Sequence, residues 1–289
     1  MFSESTNLSL SEKYSKINQL FSQSDFIIIG AGAGLSTAAG IEYSGPNFTN
    51  NFGPWIKKYK FKDLYTSSFY NFSTEEEKWA YWSKHIFIAN VGMKETKLYK
   101  KLFDWVKHKK YFVVTTNVDD QFYKSGYDPN LIFRFQGSYA YLQCAKACHK
   151  KIYEYSEKIK EMVQNINEKN CTIPSKLIPK CPKCGGPMEP NIRKDEFFVE
   201  DDNWKKMSFN YQKFLENIPN DKKVLLLEFG IGFNTPTIIR FPFEAMTKKN
   251  NNWNLVRFNT QQKDCVINLK EKFILIDEDI KIALNKIIQ

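Results

Sequence analysis

Apolar residues in this chain follow two rhythms. Short, mainly apolar runs recur at wide intervals, at 26–29, 111–115, 131–135, 224–229, 255–258 and 273–276. Runs without polar alternation suit strands buried on both faces, so they predict a parallel sheet covered by helices on each side. Between the runs the period lengthens to that of a helix. Ser9-Leu-Ser-Glu12 has the form of a capping box, and Leu10, Tyr14, Ile17, Leu20 and Phe21 follow at helical spacing. Thr74-Glu-Glu-Glu77 opens a second helical pattern to about Asn90, and Leu98, Leu102, Trp105 and Val106 mark a third. From Tyr43 to Phe72, Gly, Asn, Pro, Ser and aromatics follow one another without a period, which predicts a long loop with short helical pieces. Residues 139–200 break the rhythm and read as an inserted module. Within it, 150–166 sets Ile152, Tyr155, Ile159, Met162, Val163 and Ile166 on one face of an expected amphipathic helix.

Composition narrows the classes. The 289 residues suffice for one large domain or two modest ones, and 16% aromatic content excludes a disordered chain. The net charge of +10 is spread as scattered lysine pairs with no nucleic-acid-binding motif beside them, so no nucleic-acid partner is expected. No apolar stretch approaches the roughly 20 residues of a membrane span, and Met1-Phe-Ser-Glu-Ser-Thr lacks the features of a signal peptide. A cytoplasmic protein with no membrane partner is expected. Its six cysteines are then read first for metal rather than for disulfides.

Cys144-Ala-Lys-Ala-Cys148 and Cys181-Pro-Lys-Cys184-Gly-Gly form two short-range pairs. Four soft thiolates suit a tetrahedral zinc ion, and a Cys-x-x-Cys turn followed by glycines lets two of them reach one ion without strain. A closed shell of this kind is structural. The first pair has three intervening residues, which leaves His149 and Cys171 as conceivable substitutes. Cys265 lies outside the module and reads as a core thiol.

The strand at 26–29 runs straight into Gly30-Ala-Gly32-Ala-Gly34-Leu-Ser36, which ends at Gly40-Ile41. Closely spaced glycines between a buried strand and a helix let the backbone approach a pyrophosphate, although an ordinary tight turn uses the same residues. Polar groups then follow two other strands: Thr115-Thr-Asn117-Val118-Asp119 after one and Gln136-Gly137-Ser138 after the next. At the carboxyl ends of parallel strands such groups converge on the ligand crevice, where they can bond ribose hydroxyls and a carboxamide. Asn117 and Asp119 could equally cap the next turn.

In combination these motifs resemble a sirtuin. Gly32-Ala33-Gly34-Leu-Ser36 with Gly40-Ile41 is followed by Thr115-Thr-Asn117-Val118-Asp119, Gln136-Gly137-Ser138, the four cysteines, Gly230-Ile-Gly232-Phe-Asn234-Thr-Pro, and Arg257-Phe-Asn259. The resemblance covers about residues 10–285. It implies a Rossmann-like large lobe at about 1–43, 95–138 and 220–289. It also implies a smaller lobe with a helical part at 44–94 and a zinc module at 139–219, in one catalytic domain. NAD would be the co-substrate and zinc the structural metal. The implied binding residues are Gly32, Ala33, Gly34, Ser36, Gly40, Gly230, Gly232 and Asn234 near the phosphates and Asn259 at the adenosine ribose. Asn117, Val118, Asp119 and Gln136 would surround the nicotinamide ribose, with Asn117, Asp119 and Gln136 catalytic.

Three departures redirect the implied activity. Sirtuin deacylases carry His-Gly where this chain has Gln136-Gly137, and a neutral amide cannot serve as their general base. Their Gly-Ile-Pro-Asp-Phe-Arg is here Gly40-Ile41-Glu42-Tyr43-Ser44-Gly45. Their Gly-Thr-Ser phosphate loop is here Gly230-Ile-Gly232-Phe-Asn234-Thr-Pro, and these departures resemble the macrodomain-linked class M sirtuins, which have Gln-Gly and a Gly-x-Gly-x-Asn-Thr-Pro loop. That resemblance implies protein ADP-ribosylation of a lipoylated glycine-cleavage H-like carrier, with a macrodomain hydrolase acting on the same target. An NAD glycohydrolase and a non-catalytic NAD or ADP-ribose sensor are the alternatives.

Overall fold

A computed structural model describes residues 8–233, 235–261 and 263–288. Its large sheet has six strands: β1 Phe26–Ala31, β2 Lys110–Thr115, β3 Ile132–Arg134, β7 Val224–Phe229, β8 Trp253–Phe258 and β9 Phe273–Ile276. Every pairing is parallel, in the order β3-β2-β1-β7-β8-β9. All six residues of β1 and of β7 are buried, the charged Glu228 of β7 among them. Ile27, Ile29, Leu225 and Leu227 pack on one face, against the helices Leu10–Gln23, Lys97–Val106 and Ile280–Ile287. Ile28, Leu226 and Leu255 pack on the other, against Asp202–Glu216 and Arg240–Lys249. The chain leaves β1 toward β2 on one side and later returns to β7 on the other. The strand order therefore reverses between β1 and β7, the place where open α/β sheets form their ligand crevice.

The first helix begins at the expected box: Ser9 accepts from the Glu12 backbone N–H while its own N–H donates to the Glu12 carboxylate at 2.8 Å. The aperiodic stretch resolves into three short helices, Gly45–Asn51, Gly53–Tyr59 and Leu64–Ser67. They gather Phe48, Phe52 and Trp55 against Trp79 and Tyr81 of the helix Glu75–Ile86. This helical layer packs on a second, antiparallel sheet of β4 Gly137–Cys144, β5 Tyr153–Glu154 and β6 Met188–Ile192, in the order β5-β4-β6.

The helix expected over 150–166 is shorter than its apolar pattern, spanning Ser156–Gln164. Tyr153 and Glu154 pair instead with β4, and the Tyr155 N–H donates to the Ala140 carbonyl at 3.0 Å. The exposed backbone edge of β4 thus takes the residues at the start of the pattern. Ile159 and Met162 alone of the six apolar positions are fully buried.

Candidate functional site

The glycine turn stands where the strand order reverses. The Gly32 N–H donates to the Phe229 carbonyl at 2.9 Å and the Gly34 N–H to the Gly230 carbonyl at 3.1 Å, so the loops after β1 and β7 are joined backbone to backbone. A Cβ on Gly34 would lie 2.6 Å from the Gly230 Cα, which only paired glycines permit. Between these loops opens a cleft of about 690 Å³, lined by Ala33, Gly34, Gly40, Glu42, Gly230, Gly232 and Asn259 and also by Thr260, Gln261 and Asp279. A Cβ on Gly40 or Gly232 would meet nothing within 4 Å, so both face open space. Asn259 fixes the far wall: its amide donates to the Ile231 carbonyl at 2.9 Å and its backbone N–H to the Ile276 carbonyl at 3.0 Å.

Beneath the glycine turn a buried polar cluster joins three elements. The Asn117 amide donates to the Gly32 carbonyl at 2.9 Å and to the Tyr99 hydroxyl at 3.1 Å. Ser36 lies 3.1 Å from the Tyr99 hydroxyl and donates to the Asp119 carboxylate at 2.5 Å, while the Gln121 N–H donates to the other Asp119 oxygen at 3.0 Å. Ser36, Asn117 and Asp119 are each buried. Burial pushes the Asp119 carboxyl up to about 6, against the opposing pull of Ser36 and the Gln121 N–H.

A carboxyl that holds its proton more tightly folded than unfolded loses stability as pH rises from about 4 to about 6, and the whole cost is present above that. Asp119→Asn is therefore expected to raise thermal stability at pH 8, by on the order of 2–3 kcal/mol for a shift of this size, with no gain near pH 4. Melting curves at the two pH values check this. A variant less stable than the parent at pH 8 would refute it.

Of the other expected residues, Val118 offers its carbonyl to the Asn90 amide at 2.9 Å and to the Tyr139 N–H at 3.1 Å. Gln136 is half-buried on the turn between β3 and β4. Its carbonyl accepts from the Arg193 N–H at 3.1 Å, and the residue does not line the cleft. Asn234 lies outside the described residues.

Sequence reasoning missed Tyr99, the hub of the cluster, which stood within an ordinary helical stripe. It also missed Asp120, whose φ is +58° and whose carboxylate binds Arg134 and Ser138 at 2.5 Å and Asn90 at 3.0 Å. The adjacent acid pair Asp119-Asp120 was the available signal. A third omission is the fully buried ionic group of Glu228, Arg240, Glu244 and Arg257, in which Arg257 bonds Glu228 at 2.8 Å and Glu244 at 2.7 Å. Glu244 also accepts the N–H groups of Val266 and Ile267, tying down the loop that follows Asn259.

Away from the cleft, the sulfurs of Cys144, Cys148, Cys181 and Cys184 all lie within 4.8 Å of one another, with the 144–184 and 148–181 separations both 3.7 Å. Zn–S bonds of about 2.3 Å in a tetrahedron set sulfurs about 3.8 Å apart, so the four residues fit a closed structural zinc site. Two tight turns shape it: Gly185 donates to the Cys181 carbonyl and Ala147 to the Cys144 carbonyl, at 2.8 and 2.9 Å. Cys171 is a separate buried thiol facing the Glu168 carbonyl. His149 lies beside Cys148 but turns its other ring nitrogen to Tyr153 at 2.8 Å.

A parallel sheet with a glycine-walled crevice at its reversal point, joined to a small lobe with a four-thiolate centre, defines a Rossmann-like nucleotide-binding protein of two lobes. The chain belongs to the Sir2 family, whose model matches residues 32–218. It is 37% identical over 259 residues to "Protein ADP-ribosyltransferase" of Staphylococcus aureus (strain Mu50 / ATCC 700699), covering 89% of this chain and 81% of that protein. It is 30% identical over 237 residues to "Probable bifunctional ADP-ribose hydrolase/ADP-ribosyltransferase" of Fusarium oxysporum f. sp. cubense, covering 79% of this chain but 39% of that longer protein. The fold matches that of a solved Sir2 complex with p53 peptide and NAD+ at a TM-score of 0.57 and 14% identity, over 94% of this chain and 95% of the other. Among the described residues no helix is long and apolar enough to cross a membrane.

Proposed function

We propose that this sirtuin-type ADP-ribosyltransferase cleaves the nicotinamide glycosidic bond of NAD and transfers ADP-ribose to a protein side chain, that of a lipoylated glycine-cleavage H-like carrier, with little or no deacylation. The observation that carries the reading is the Ser36–Tyr99–Asn117–Asp119 cluster directly beneath a glycine-walled cleft of dinucleotide size. In this reading the turns at Gly32–Gly34 and Gly230–Gly232 take the pyrophosphate, with Ser36 and Gly40 beside it, Asn234 assisting, and Asn259 toward the adenosine ribose. Asn117, Val118 and Asp119 orient the nicotinamide and its ribose; Gln136, which does not line the cleft, is assigned to the ribose hydroxyls by its place in the family motif alone.

The case against deacylation is chemical. The chain has three histidines, and none lines the cleft. His85 is fully buried, stacked on Trp82, and depressed by burial to about 3. His108 is exposed, and His149 lies by the thiolates. Transfer to an acceptor through an oxocarbenium-like transition state depends on positioning and negative potential more than on a strong base.

A protein substrate is supported by the staphylococcal relative, whose name specifies one. The Fusarium relative, whose name joins an ADP-ribose hydrolase to a transferase, supports a macrodomain-type hydrolase on the same target. The two-lobe catalytic domain bounded as above, and a cytoplasmic location that keeps the thiols reduced, belong to the same reading.

Incubation with labelled NAD, the lipoylated carrier, the unlipoylated carrier and an acetyl-lysine peptide tests it. Label on the lipoylated carrier and intact acetyl-lysine are expected. Free ADP-ribose without labelled protein would replace transfer by NAD hydrolysis, and rapid deacetylation would overturn the argument from Gln136. Asn117→Ala should lower the rate of nicotinamide release by roughly 100-fold or more, mainly in kcat, because a group that positions the reacting ring is lost. Full activity in that variant would remove Asn117 from the mechanism.

A further inference from the structure

The loop that leaves β2 alternates its partners. Asn117 and Asp119 face the glycine turn, where the Asn117 amide bonds the Gly32 carbonyl and the Asp119 carboxylate accepts from Ser36. Val118 and Asp120 face the second sheet and the helical layer. The Val118 carbonyl accepts the Tyr139 N–H of β4 at 3.1 Å and the Asn90 amide at 2.9 Å. Asn90 stands in the π-helical turn Phe87–Val91, and Lys124 pins it by donating to its backbone carbonyl at 2.6 Å and its side-chain oxygen at 3.1 Å. The Asp120 carboxylate gathers three donors: Arg134 of β3 and Ser138 of β4, both at 2.5 Å, and the same Asn90 amide at 3.0 Å. Arg134 and Ser138 lie two residues before and two after Gln136, so one carboxylate also spans the turn that carries it.

Three features separate this carboxylate from an ordinary surface ion pair. The side chains of Asp120 and Arg134 are only 10% and 14% exposed, so their charge-assisted bonds are short and little screened. The Arg134 guanidinium also lies over the rings of Tyr123 and Tyr141, at 4.5 and 5.4 Å, which fixes its direction. Asp120 itself adopts a left-handed φ of +58°, which glycine would take without strain, so the position retains a side chain at some conformational cost. The four residues 117–120 are one short stretch of backbone. Whatever holds 118 and 120 therefore sets where 117 and 119 stand, and misplacing a positioning group by about 1 Å can cost about 100-fold in rate.

We propose that Asp120 is a positioning residue for NAD cleavage: by clamping its loop to β3, β4 and Asn90 it sets the places of Asn117 and Asp119 beneath the cleft. The assignment rests on the reading of those two residues given above, and its readout is nicotinamide release, which transfer and hydrolysis share. Asp120→Gly, which keeps the left-handed backbone and removes the clamp, is expected to lower kcat for release about 100-fold. The Kd for ADP-ribose, measured by calorimetry, should stay within about threefold, because neither glycine turn is touched. Asp120→Asn keeps an acceptor oxygen but not the charge, and should recover part of the rate, standing about 10-fold below the parent. In an Asn117→Ala background Asp120→Gly should lower kcat no further, since the group it positions is gone. Ile159→Val, which loosens the small-lobe core away from the clamp, should lower the melting temperature and leave kcat unchanged. An Asp120→Gly kcat within about threefold of the parent overturns the proposal; if that variant does not fold, the same limit applies to Asp120→Asn. Fully multiplicative losses in the double variant, full activity in Asn117→Ala, or an equal fall in Ile159→Val overturn it as well. A parent enzyme that releases nicotinamide but labels no protein refutes the transfer reading and leaves this test intact. A parent that releases none overturns both.

Discussion

Cys181→Ala is expected to yield protein without zinc and without a stable small lobe. The four sulfurs sit at tetrahedral spacing, Cys181 is 2% exposed, and its backbone N–H is already bonded to the Gly186 carbonyl at 2.8 Å. Removing one thiolate leaves three mutually repelling ligands around an incomplete shell. Structural zinc is worth about 10–16 kcal/mol in small folding units, which matches or exceeds the about 5–15 kcal/mol that holds a typical domain together. The loss should spread through the core that Cys144 and Cys181 share with Leu142, Ile159, Met162 and Trp79. Cys171→Ala is the control: it removes a buried thiol from the same core but no ligand, and should cost only about 1 kcal/mol with zinc retained. Elemental analysis and limited proteolysis of both variants decide the matter. A folded, zinc-free parent protein would refute the assignment of the metal.

Gly34→Val should eliminate detectable binding of NAD and ADP-ribose alike and lower stability by about 3 kcal/mol or more. The cause lies in the cleft wall. A Cβ at position 34 would meet the Gly230 Cα at 2.6 Å and the Gly230 carbonyl oxygen at 3.1 Å, and both are backbone atoms that no rotamer change can move. The turn after β1 would be forced away from the turn after β7, breaking the Gly34 N–H bond to Gly230 and opening the crevice at its centre. Gly40→Ala supplies the contrast. Its Cβ meets nothing within 4 Å, so only the left-handed φ of +88° is strained, at a cost of about 1–2 kcal/mol, and the joint between the two turns stays closed. Calorimetry and melting curves on the two variants check both expectations. Retained ADP-ribose affinity in Gly34→Val would mean that the glycine contact does not shape the site.

Much of this molecule is legible in its residues because the causes are local. A strand buried on both faces is apolar at nearly every position, so all six runs mark their strands to within two residues, the buried Glu228 and Arg257 being paired with each other. The Ser9–Glu12 box sets the start of the first helix through contacts spanning three residues. The cysteine pairs declare themselves because each knuckle closes within a single turn. The absence of a usable base at Gln136 is likewise a property of the side chain itself.

What only the tertiary structure decided depends on groups distant in the chain. Residues 150–155 carry a helical pattern, but the free edge of β4 offers them backbone hydrogen bonds, and the sheet prevails. Gly34 reads as room for a phosphate, whereas its closest constraint is Gly230, which no local pattern predicts. Asn117 and Asp119 are named by their place after a strand. That one of them holds the Gly32 carbonyl and the other the Ser36 hydroxyl, with Tyr99 between, follows from β1 lying beside β2. Sequence determines which groups are present and which elements carry them; packing determines which of those groups are already satisfied by the protein and which remain for a ligand.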